Sequence, residues 1–152
     1  MSLPATEVTT VAHSIQLAVA PVFLLSGIGV FLGVLTSRLG RIVDRARPLE
    51  AELARADGRA HEDLRERLRW LAKRGRLINL AITLSTVAAL LVAIVVALLF
   101  ASTFAFVQIS LATPVATLFI LSMLSLVGAL VAFLVEVQIA TRTIRIGPAS
   151  RE

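Results

Sequence analysis

Three stretches of the chain are apolar at nearly every position, and the polar groups gather between them. Residues 14–37 and 77–100 hold no charge, and residues 114–139 hold only Glu136. About 20 helical residues at 1.5 Å each cross the hydrocarbon core of a bilayer. The pattern therefore predicts three transmembrane helices. The third opens on Pro114, at a helix start where a missing N–H costs nothing. No polar stripe runs along any of them, which argues against three buried helices of a soluble bundle. Between spans two and three, "ASTFAFVQISLAT" (101–113) is uncharged and reads as a short connection at headgroup level.

The period changes in residues 38–76. Leu39, Ile42, Ala46, Leu49, Leu53 and Ala56 recur at steps of three and four, a narrow apolar seam, and Leu64, Leu68 and Leu71 resume it. "ADGRA" at 56–60 is a turn signal. The expected structure is an antiparallel helical hairpin that continues spans one and two, with Pro48 kinking or restarting the outgoing helix. Asp63–Arg67 and Glu62–Arg65 stand at salt-bridge spacing, worth a few tenths of a kcal/mol each. The whole chain, 1–152, reads as one all-α membrane domain.

Charge orients this arrangement. All 15 Lys and Arg fall in two clusters, Arg38 to Arg76 and Arg142 to Arg151, and before Arg38 the only charged residue is Glu7. Basic residues that flank spans stay on the cytoplasmic side. Three spans then put the N-terminus outside, the hairpin and the C-terminal tail inside, and the 101–113 connection outside. The first fourteen residues carry no Lys or Arg, so span one is expected to insert as an uncleaved anchor. The balance of the composition agrees: 57% hydrophobic, 16% charged, net charge +5 and a mean hydropathy of +0.88. A pI near 11.4 raises nucleic acid as a partner. Basic clusters beside apolar runs point instead to anionic lipid at a membrane surface.

Small residues mark faces where helices can approach closely. Span one has Gly29 and Gly33, continued by Ser37. Span two has Ala81, Ser85, Ala89, Ala93 and Ala97, each four apart. Span three has Gly128 with Ala132 and Ser125 with Ala129. These ridges serve contacts within the chain or between subunits; the spacing does not choose.

The candidate site residues lie at the inner ends of the spans. Arg38, Arg41 and Arg45 share a stripe, with Asp44 three residues from both Arg41 and Arg47. Glu136 follows more than fifty uncharged residues near the end of span three. A carboxylate at that depth pairs or faces water, and Arg38, Arg41, Arg74 and Arg76 arrive at its level. It is either a cross-helix clamp or part of a charged pore mouth. Trp70 beside Lys73, Arg74 and Arg76 has the form of an interfacial anchor. His13 and His61 fall on opposite sides of the membrane and cannot share a metal. There is no cysteine, no HExxH, no phosphate loop, no GxSxG and no dinucleotide glycine pattern. Neither catalysis nor a cofactor or metal is expected.

The stretches "HSIQLAVAPVFLLSGIGVFLGVLTSRLGRIVDRAR", "RWLAKRGRLINLAI" and "LVEVQIATRTIR" resemble a family of small bacterial membrane proteins catalogued as domain of unknown function twenty-seven twenty-one. The resemblance covers roughly residues 10–146. It implies a multi-span protein of the bacterial inner membrane and supports a constrained role for Arg38, Arg41, Asp44, Arg45 and Glu136. It carries over no catalytic or binding residue.

Three spans are few to enclose a pathway alone, so a homo-oligomer of closed rotational symmetry is expected. The leading functional expectation is an oligomeric ion channel with Arg38, Arg41 and Glu136 at its inner mouth. The alternative is a membrane-anchored scaffold whose hairpin binds a cytoplasmic partner or anionic lipid.

Overall fold

The computed structural model describes residues 5–104 and 112–142. Three helices account for nearly all of them: α1 (Ala5–Leu53), α2 (Arg59–Phe104) and α3 (Ala112–Arg142). No strand occurs among the described residues. All three are long and apolar enough to cross a membrane. The expected connection at 101–113 and the basic tail fall largely outside the described residues, as does the His13 side chain.

α1 stops at Leu53 because the chain there changes to a tighter winding. Ala54 N–H still reaches the Glu50 carbonyl, but Arg55 donates to Glu52 and Ala56 to Leu53, one residue short of the α-helical step. Gly58 then takes φ 63°, a left-handed conformation that a side chain would strain, and α2 begins at the next residue. Pro48 does not restart the outgoing helix: α1 runs on through it to Leu53. Asp44 and Pro48 are both exposed, so the carbonyl left without its helical donor is open to solvent.

The chain packs as two compact units, each drawing a segment from all three helices. The first comprises Met1–Leu32 and Leu84–Val127. Its interior holds Pro21 and Ile28 of α1, Ser85, Ala88, Val92 and Val95 of α2, and Ser122 of α3. Ser125 donates its hydroxyl to the Leu84 carbonyl at 2.8 Å, a direct tie between α3 and α2. Ser122 donates to its own helix at Phe119. Ser85 Oγ is fully buried with no partner among the described residues. The second unit comprises Gly33–Thr83 and Gly128–Glu152. Its interior holds Leu35 and Ile42, then Leu64, Ile78 and Ala81, then Ala129, Ala132 and Glu136.

Buried positions within each helix recur at seven-residue steps: Pro21, Ile28, Leu35 and Ile42; Ile78, Ser85 and Val92; Ser122, Ala129 and Glu136. A seven-residue period keeps such positions close to one face of each helix. The four-residue ridge of α2 cannot do this. Each step of four advances about 400° and so drifts by about 40°. Ala81 and Ser85 are buried, Ala89 is half-buried, and Ala93 and Ala97 have rotated out to the surface. Gly29 and Gly33 are also exposed, with nothing within 4 Å of where a Cβ would stand, and Gly128 is half-buried. The intrachain seam is therefore the heptad set.

Outside that seam the surface is oily. Phe23 is 74% and Val30 72% exposed, and Leu90, Leu124 and Ile120 face outward too. Apolar surface on this scale is stable in hydrocarbon, where helices satisfy their own backbone groups.

Candidate functional site: a carboxylate held by two arginines

Glu136 is fully buried, in the last turns of α3. Its Oε2 accepts from Arg38 Nη1 at 2.6 Å. Its Oε1 accepts from Arg74 Nε at 3.1 Å and Nη2 at 2.8 Å. One acid on α3 thus ties α1 and α2 together. Leu35, Ile78 and Ala132, three or four residues from Arg38, Arg74 and Glu136 on the same helices, are buried in the same unit. Charge-assisted bonds of this length are about twice as strong as neutral ones. Removing water from three charged groups costs several kcal/mol per ion, which this geometry offsets by occupying both carboxylate oxygens. Arg38 also lies over the Phe133 ring, 5.1 Å from its centroid, and Arg74 keeps 21% exposure and Arg38 29%.

The other sequence-predicted residues are placed differently. Arg41 and Arg45 are exposed and stay off the carboxylate; Arg41 donates to Ser37 Oγ at 3.2 Å. Asp44 and Arg76 are exposed and make no ion pair among the described residues, where the two bridges of Glu136 are the whole set. The spaced pairs Asp63–Arg67 and Glu62–Arg65 are accordingly open, as exposed pairs of small net worth often are. Trp70 is half exposed, with Lys73 Nζ 5.5 Å from its ring centroid. No group of three metal-ligating side chains gathers among the described residues.

Two of the concavities in the second unit are lined by arginines together with apolar side chains. A cleft of about 380 Å³ is lined by Arg38, Arg41, Arg45, Arg74, Glu136 and Thr141. A groove of about 540 Å³ has an apolar floor that includes Leu39, Ile42, Ala46, Leu68 and Ala72, with Arg47, Glu50, Arg65 and Arg69 along its edge. Sequence reasoning missed Phe133 and Thr141. Phe133 stands one helical turn before Glu136, and that spacing was the available signal.

Three long apolar helices joined by an interior ion-pair cluster define a multi-pass membrane protein. The chain belongs to the family described as "Protein of unknown function (DUF2721)", whose model matches residues 18–146. No curated protein and no solved structure matches it.

Proposed function

We propose that the chain is a membrane-anchored interaction scaffold, without catalytic activity, in the bacterial inner membrane. Residues 38–76 form a cytoplasmic antiparallel hairpin, with the N-terminus outside and the C-terminus inside, as the basic clusters favour. The spans anchor it, and the hairpin receives an amphipathic helix of a partner protein. The observation that carries this reading is the groove: an apolar floor of about 540 Å³ with charge on its edge, the form used to seat a helix by its oily face. Three arginines on that edge oppose the single Glu50, so the occupant is an acidic helix.

The oligomeric channel is the second reading. Its support is the exposed apolar and small-residue surface of α1, including Gly29 and Gly33, where another copy could seat. Its charged mouth, however, needs a free Glu136, and that carboxylate has both oxygens engaged within the chain.

A photo-crosslinking side chain placed at Ala72 tests the scaffold in living cells. A single adduct to one other polypeptide, lost when Arg65 and Arg69 are both changed to Glu, is the expected result. Adducts to lipid or to a second copy alone would sink it. In liposomes the purified protein should carry no ion flux; salt-dependent flux altered by Glu136→Gln would install the channel in its place.

A further inference from the structure

We infer that the arginine cleft of the second unit is a binding site for a phosphate oxyanion, either the headgroup of an anionic phospholipid or a soluble phosphate compound. The cleft gathers four guanidiniums against one carboxylate. That carboxylate already has both oxygens occupied and lies fully buried. It therefore acts as a fixed positioning group, holding Arg38 and Arg74 in place, and as one carboxylate against four guanidiniums it leaves the cleft positive.

Each guanidinium carries five N–H donors in a planar fork. Arg38 commits only Nη1 to the acid, and Arg74 only Nε and Nη2. The remaining edges belong to side chains that line the open space. Arg41 and Arg45 stand four residues apart on α1, neighbours on one face, and both are exposed. Arg45 has no hydrogen-bond or ion-pair partner among the described residues. The free fork of Arg45, the edge of Arg41 that its bond to Ser37 leaves open and the two anchored guanidiniums match the tetrahedral oxygens of a phosphate, which arginine recognises bidentately. A metal cation would be repelled by the same set, and a carboxylate ligand would leave donors unused. A volume of about 380 Å³ admits a phosphate with its ester substituent.

This inference rests on the membrane-embedded fold but not on the hairpin groove, so its failure and that of the scaffold are separable. The full chain in nanodiscs of phosphatidylcholine, with or without phosphatidylglycerol, is read by native mass spectrometry for retained lipid. The same protein in uncharged micelles is titrated with inorganic pyrophosphate. Retention of phosphatidylglycerol that falls about tenfold in Arg41→Gln/Arg45→Gln identifies a lipid headgroup. Saturable pyrophosphate binding with the same loss, and no lipid preference, identifies a soluble ligand. Arg55→Gln/Arg59→Gln removes equal charge elsewhere in the second unit and should change neither. If that control variant falls equally, or if neither probe binds, the site is overturned. The paired variants leave the Glu136 contacts intact, so loss of fold does not confound the result.

Discussion

At the residue scale the chain concentrates its electrostatic risk in one place. Glu136 is the one acid in more than sixty residues of hydrophobic sequence, and two cations from distant parts of the chain meet it. Glu136→Gln would leave two guanidiniums facing each other without a counter-charge. We expect a loss of about 2–3 kcal/mol, below the cost at a fully buried pair because the arginines keep some solvent. Denaturant unfolding in micelles, followed by circular dichroism, measures it. Replacing Arg38, Arg74 and Glu136 together with Leu should bring stability back to within about 1 kcal/mol of the starting protein. A triple variant no better than Glu136→Gln would mean that the cluster contributes more than mutual neutralisation. The sequence showed that Glu136 needed a partner, since an isolated carboxylate among apolar residues has few other fates. It could not show which arginines. Arg38, Arg41, Arg74 and Arg76 all lie at matching depth, and only the rotation of each helix distinguishes the inward pair from the outward one.

At the scale of the element, the existence of three long apolar helices was legible, because length and unbroken apolarity decide it. The faces were less so. In a nearly all-apolar helix every side offers plausible contacts, and the eye follows the small residues. Ala81, Ser85, Ala89, Ala93 and Ala97 make the more visible pattern, yet Ile78, Ala81, Ser85, Ala88, Val92 and Val95 make the seam. The difference between a period of 4 and one of 3.5 turns Ala97 outward and Ala88 inward. Ala88→Leu should therefore overpack the interior and cost about 1–3 kcal/mol, while Ala97→Leu should stay within about 0.5 kcal/mol. The same micelle unfolding experiment compares them. Equal losses would contradict the heptad seam. Pro48 does not restart α1 because the stretch that carries its orphaned carbonyl is exposed, where water can replace the missing donor.

At the scale of the whole molecule, three helices long and apolar enough to cross a bilayer make this a multi-pass membrane protein. The side that each loop faces rests on the distribution of arginine. With no native cysteine, single cysteines are clean reporters. Arg55→Cys should resist a membrane-impermeant maleimide in intact cells and react after lysis. Labelling of whole cells would reverse the proposed orientation and with it the cytoplasmic partner. The seven-residue beat of the buried positions has one more consequence. A helix that keeps time with its neighbours can gain or lose length only in whole measures, each about 10.5 Å. Descendants of this chain that settle in thicker or thinner bilayers should differ by insertions of seven, made in all three helices together, while an added single residue would throw every later side chain out of step.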